Sequence, residues 1–157
     1  MKISTLMSYA HGFGGASQEI VELEKAGLDV VWVPEAYSFD AVSAMGYLAA
    51  KTERITIASG ILNIYSRTPS LLAMTAAGLD ELSNGRFMLG LGASGPQVVE
   101  GFHGVPYDAP VTRIREIVEI CRNVWLREDK LNYAGKKYQI PLPKDQGTGL
   151  GIPLKII

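Results

Sequence analysis

Ile55-Thr56-Ile57-Ala58-Ser59-Gly60-Ile61-Leu62, the run opened by Thr68-Pro69, and Phe87-Met88-Leu89-Gly90-Leu91 after Asn84-Gly85 together decide the fold. The first segment is short, apolar and β-rich, and predicts a strand. Thr68 followed by a proline suits an N-cap with Pro at the first helical position, and Leu72, Thr75, Ala76 and Leu79 then recur at helical spacing. Asn84-Gly85 stops that helix, and the Phe87 to Leu91 run predicts the next strand. A strand, a crossover helix and a second apolar strand make a β/α repeat with parallel pairing.

Reading outward, the same unit recurs upstream. Ile3 to Met7 predicts a first strand, and Tyr9-Ala10-His11-Gly12-Phe13-Gly14-Gly15 a glycine-rich loop, because glycine opens a helix at an entropic cost. From Ser17, Ile20, Val21, Leu23 and Ala26 form a helical stripe, and Gly27 suits the C′ position. Val30-Val31-Trp32-Val33, stopped by Pro34, predicts a strand buried on both faces, followed by a helix over Ala41 to Thr52 capped by Asp40. Downstream, after a long loop, Asp108 is placed to cap a helix whose stripe is Ile114, Ile117, Val118, Cys121 and Trp125, with Arg113, Arg115, Glu116 and Arg122 facing water. The fold class is therefore α/β, a parallel sheet with flanking helices in four β/α units over residues 1–128. Residues 129–157 change character. Leu131 to Tyr133 and Lys137 to Ile140 predict a hairpin around Ala134-Gly135, and the Pro/Gly-rich remainder reads as an excursion with at most a stray strand over Ile152 to Ile157.

Composition bounds the function. The chain has 157 residues, 47% of them hydrophobic, and 15 Lys+Arg against 16 Asp+Glu give a net charge of −1. With charges of both signs interspersed, no basic face is available for nucleic acid or an anionic membrane. Leu71 to Leu79 falls short of the roughly 20 apolar residues a membrane helix needs, and Met1-Lys2-Ile3-Ser4-Thr5 does not open a signal peptide, so the cytosol is the expected location. The single cysteine, Cys121, lies on a core stripe and excludes a disulfide framework.

Gly90-Leu91-Gly92-Ala93-Ser94-Gly95 matches G-x-G-x-x-G after a strand, but it follows the fourth strand rather than the first and lacks the acidic residue about 20 positions on. It reads as a close-packed strand-end loop. Gly147 to Gly151 lies between prolines and reads as flexible loop. His11 and His103, the two histidines, fall in loops, where a surface or packing role and a functional one are both open; without matched carboxylates no metal site is expected. Glu35, just past a buried strand, points to the ligand-binding end of such a sheet, or else caps or ion-pairs near the second helix. Asn63, Tyr65 and Arg67 follow the third strand, and Arg86 belongs with the Asn84-Gly85 turn.

Three segments also carry a resemblance. Leu79-Asp80-Glu81-Leu82-Ser83-Asn84-Gly85-Arg86 running into Phe87 to Pro96, together with Val31-Trp32-Val33-Pro34-Glu35 and Ala58-Ser59-Gly60-Ile61-Leu62-Asn63, is similar to the bacterial luciferase-like flavin enzymes and within them to the deazaflavin branch that includes methylenetetrahydromethanopterin reductase. The resemblance implies a (β/α)₈ barrel of which this chain supplies four units, the tail being the insertion before strand five. It places Glu35 near the deazaflavin ring, a non-proline cis peptide at Gly60-Ile61 against one ring face, Asn63 just after that bulge, and Gly92, Ala93 and Ser94 where main chain approaches the cofactor. Ala36 stands where some members carry a histidine, which removes support for a histidine donor there. The implied activity is hydride transfer between deazaflavin coenzyme F-420 and an organic substrate. The alternatives are an FMN-dependent monooxygenase and a non-catalytic half-barrel acting by association. Open sheet edges would favour a homo-oligomer or pairing with a complementary half.

Overall fold

The computed structural model of the chain describes residues 1–10 and 12–156. His11, one of the candidate histidines, and Ile157 lie outside the described residues. The chain forms two compact units, Met1–Asn63 with Thr75–Gly92 and Ile64–Met74 with Ala93–Ile157.

The first unit holds a parallel sheet of β1 (Ser4–Leu6), β2 (Val30–Val33), β3 (Thr56–Ser59) and β5 (Phe87–Met88), in that order. Register runs Ser4 to Val30, Val30 to Thr56 and Ile57 to Phe87. Two further short strands, β4 (Leu62–Asn63) and β6 (Leu91–Gly92), pair with each other in parallel. The helices are α1 (Gly12–Lys25), α2 (Ala41–Lys51) and α3 (Pro69–Leu82), the last counted with this unit from Thr75. Val31, Val33, Met45, Leu48, Ile55, Ile57 and Leu62 are buried to 1% or less and form its core. On β2, Trp32 is half-buried among otherwise buried neighbours.

Several local expectations hold for the reasons given. Asp40 accepts the Ser43 N–H at 2.7 Å and caps α2; Thr68 Oγ1 accepts the Leu71 N–H at 3.2 Å at the start of α3. Gly27 after α1 and Asn84 and Gly85 after α3 have positive φ of 107°, 54° and 76°. One expectation fails. The glycine-rich stretch is helical from Gly12 on, because Phe13 docks edge-on against Tyr47 of α2 at 5.3 Å and Ala16, Ser17 and Ile20 are buried. That packing offsets the roughly 1 kcal/mol each helical glycine costs.

The second unit contains α4 (Pro96–Gly101), α5 (Pro110–Leu126), the antiparallel hairpin β7 (Tyr133–Ala134) with β8 (Gln139–Ile140), and a short 3₁₀ turn over Lys144–Gln146. Six-residue α4 falls within the expected long loop, too short to show a periodicity. Residues 152–156 form no strand, although the Leu131 N–H donates to the Leu154 carbonyl at 2.8 Å. Three assignments on α5 change: Asp108 and Glu116, and also Arg113, which does not face water but lies against the Tyr65 and Tyr138 rings with its side chain 20% exposed. Asp108 does not cap it: Ala109 occupies the cap with φ 44°, and the Asp108 carboxylate instead holds Arg113 Nη2 at 2.6 Å and Lys137 Nζ. Glu116 does not face water: it is 5% exposed and accepts the backbone N–H groups of Lys136, Lys137 and Tyr138 at 2.7, 3.0 and 3.0 Å. A turn with three inward N–H groups draws a carboxylate into the interior. Gly135 is needed there, since any side chain would run into that carboxylate. Cys121 is buried as expected, and burial pushes its thiol up to about 11.

Candidate active site at the ends of the first unit's strands

The third and fourth strands do not run continuously, as their apolar patterns suggest; both break at the same level. β3 ends at Ser59 and pairing resumes at Leu62, while β5 ends at Met88 and resumes at Leu91. Ser59 Oγ bridges the gap, accepting the Gly90 N–H at 2.7 Å and donating to the Gly90 carbonyl at 2.9 Å; the Leu62 N–H donates to the same carbonyl at 2.8 Å. A Cβ on Gly90 would collide with the Ser59 carbonyl, so the position requires glycine. Between the two pairing regions the Gly60-Ile61 peptide is cis, as the resemblance implies. Ile61 packs so closely on Gly92 that a Cβ there would lie 2.7 Å from Ile61 Cγ1. The G-x-G-x-x-G run thus begins as the close-packed strand-end loop expected of it.

Glu35 follows β2. Its Oε1 accepts the Ala41 N–H at 3.2 Å, the first residue of α2, and its Oε2 the Asn63 N–H at 3.4 Å. The cap near the second helix is therefore present, and the same carboxylate ties the end of β2 to β4. Asn63 is 3% exposed. The structure brings Glu35, Gly60, Ile61, Asn63 and Gly92 together in the first unit. Ala93 and Ser94 belong to the second unit, where Ser94 has a left-handed φ of 54°. His103, also in that unit, packs edge-on against Phe102 at 5.2 Å.

Two residues at this end of the sheet escaped sequence reasoning. Ser59 is one, visible only through the paired break it bridges. Tyr9 is the other. Its ring meets Phe39 at 5.3 Å, and its hydroxyl is buried with no hydrogen-bond partner among the described residues. Burial first, then the charges of Asp40 and Glu35, raise its pKa, so the phenol stays protonated and offers a donor. A buried donor without a partner marks a place for a ligand's acceptor. Beside it stands the Glu35 carboxylate, and the same unit presents the Ile61 side chain packed on Gly92. Such a donor, acceptor and apolar surface match the carbonyls, N–H and flat face of a deazaflavin ring, so the residues fit that group. Arg86, by contrast, is structural: its guanidinium donates to the carbonyls of Ala49, Thr52, Ile55 and Ser83 at 2.7–3.1 Å, joining the end of α2 to the start of β3.

The profile of the family described as luciferase-like monooxygenase matches residues 2–156. The chain belongs to this family. Among its curated relatives, a protein of Mycobacterium tuberculosis named as a coenzyme F-420-dependent oxidoreductase is 42% identical over 138 residues, covering 88% of this chain and 40% of that protein. The 5,10-methylenetetrahydromethanopterin reductase of Archaeoglobus fulgidus is 36% identical over 129 residues, covering 82% and 37%. Among solved structures, the coenzyme F-420-dependent tetrahydromethanopterin reductase of Methanopyrus kandleri superposes with a TM-score of 0.74 at 25% identity, over 88% of this chain and 43% of that one. The oxygenating component of a Baeyer–Villiger monooxygenase of Pseudomonas putida, solved with FMN, shares the fold at a TM-score of 0.78 and 20% identity, over 98% and 49%. This luciferase-like chain spans about two fifths of the length of these curated relatives. Its fold is four β/α units of the (β/α)₈ topology.

Proposed function

We propose that this luciferase-like chain serves hydride transfer between the deazaflavin coenzyme F-420 and an organic substrate. The observation that carries the reading is the set at the strand ends: a buried Tyr9 hydroxyl with no partner among the described residues, the Glu35 carboxylate and the Ile61 surface backed by Gly92. The 42% identity to a relative named for this coenzyme supports the choice of deazaflavin over FMN. When bound, the deazaflavin would supply a two-electron hydride donor or acceptor. The protein's part is placement. Tyr9 would donate a hydrogen bond to the deazaflavin, Glu35 would accept one from it, and Ile61 would offer it an apolar surface. Gly92 would offer its main-chain groups to the cofactor.

The test is titration of the chain with F-420 and with FMN, followed by coenzyme fluorescence and absorption. Saturable F-420 binding that exceeds FMN binding is the expected result. Preferential FMN binding would replace the reading with a flavin-dependent monooxygenase, and binding of neither would leave an association role.

A further inference from the structure

Trp32 is the residue of β2 that the structure leaves half-buried where the apolar run predicts burial on both faces. Side chains alternate between the two faces along a strand, and residues in register across a parallel sheet share a face. Val31, Val33 and Ile57 lie on one face and are buried to 1% or less. On the other face the register sets Leu6, Trp32, Ala58 and Met88 in one row across β1, β2, β3 and β5. Leu6 and Met88 at the ends of this row are 61% and 43% exposed, and Ala58, the neighbour of Trp32, is small. The row is apolar and lies next to the breaks between β3 and β4 and between β5 and β6.

The indole reaches the candidate site. Gly60 lies against it: a Cβ there would stand 3.3 Å from Trp32 Cβ and 3.6 Å from Cε3 on the six-membered ring. Gly60 is followed by Ile61, whose side chain packs on Gly92. Trp32, Gly60, Ile61 and Gly92 thus form one run of neighbours from β2 to β6 within the first unit. The Trp32 carbonyl accepts the Met7 N–H at 2.8 Å, two residues ahead of Tyr9, so the sheet fixes the backbone that carries the indole. A half-exposed indole keeps a large apolar surface in water, and a second flat ring laid against it is the partner that recovers most of that burial.

We propose that Trp32 is a further coenzyme-contact residue, its indole receiving the deazaflavin ring system beside Gly60 and Ile61. The inference rests on the F-420 reading and adds an aromatic contact to the hydrogen bonds given to Tyr9 and Glu35.

The experiment is nuclear magnetic resonance on the whole chain, which has two tryptophans. Trp125→Phe identifies the Trp32 indole signal by elimination; Trp125 belongs to the second unit, where its Nε1 donates to the Ala73 carbonyl at 3.0 Å. F-420 is then added, and its binding is followed independently by the anisotropy of its own fluorescence. The expected result is a saturable shift of the Trp32 signal that tracks the anisotropy, with a nuclear Overhauser contact between the indole and the deazaflavin ring protons. Trp32→Ala should weaken F-420 binding about tenfold, and Trp32→Phe, which keeps a flat ring, by no more than about threefold, with circular dichroism native in both. The Overhauser contact is read on the unsubstituted chain, so it tests the proposal even where Trp32→Ala fails to fold. F-420 that binds without touching the indole, or that binds Trp32→Ala as tightly as wild type, overturns the proposal and leaves the coenzyme reading standing. No F-420 binding by anisotropy overturns that reading and this inference with it. An indole signal that moves with protein concentration and not with F-420 assigns the face to a second copy and overturns the proposal too.

Discussion

Glu35 and Tyr9 show how single side chains divide between holding the fold and holding a ligand. Glu35 holds the fold, its carboxylate accepting from Ala41 and Asn63, and under the proposed function it also serves the ligand, standing beside the Tyr9 phenol. Glu35→Gln is expected to weaken F-420 binding by about 1.5–3 kcal/mol, the worth of a hydrogen bond to a charged group, and to lower the melting temperature through the lost cap. Fluorescence titration and thermal unfolding check the two effects separately. Tyr9→Phe should separate them in opposite directions. Removing a buried donor that has no partner among the described residues should leave the free protein as stable or up to about 1 kcal/mol more stable, while coenzyme binding weakens by about 1 kcal/mol. A loss of stability in this variant would assign the hydroxyl to the fold instead.

At the scale of elements, carboxylates organise turns that the strands and helices leave exposed. Glu24 of α1 accepts the N–H groups of Glu53, Arg54 and Ile55 ahead of β3, and Glu116 of α5 accepts those of the hairpin turn. In both, burial works to raise the pKa, but the backbone hydrogen bonds win and hold it below the ordinary 4.5. A depressed carboxylate contributes stability that is fully present above 4.5 and is lost as the pH falls through the folded value. Denaturant unfolding between pH 7 and pH 3 should therefore show a stability loss in wild type that is shallower in Glu116→Gln. At pH 7 that variant should be about 1.5–3 kcal/mol less stable, with the hairpin amides exchanging faster. The paired break of strands makes a further demand. Gly90→Ala sets a methyl group against the Ser59 carbonyl and is expected to cost about 1–3 kcal/mol, read from the urea midpoint.

For the whole molecule, the parallel sheet ends at β1 on one side and β5 on the other. Parallel sheets ordinarily have both faces covered and their edges paired or closed into a barrel. Here Ile3 and Leu6 at or near one edge and Met88 at the other are 55%, 61% and 43% exposed. We expect the chain to self-associate through these edges, with a second copy or a complementary half completing the sheet. Light scattering across a concentration series checks this: a growing mass supports it, and a stable monomer at every concentration contradicts it.

Much of this was legible along the chain. Val30 to Val33, the Asp40 and Thr68 caps and the Asn84-Gly85 stop are local signals, because period, capping and left-handed backbone depend on residues within one turn of each other. They determined the α/β class, and the motifs around Glu35, Gly60-Ile61 and Gly92 pointed to the family. What only the tertiary structure decided depends on partners distant in sequence. Gly12 to Gly15 became helix because Phe13 meets Tyr47; Glu116 turned inward because a hairpin some 20 residues later presents three N–H groups. Ser59 proved a bridge because Gly90 lies opposite, and Tyr9 stood out because its hydroxyl is buried beside two carboxylates. A linear pattern records which residues prefer burial or a turn, but a hydrogen bond or a collision exists only once two segments are brought within a few ångströms.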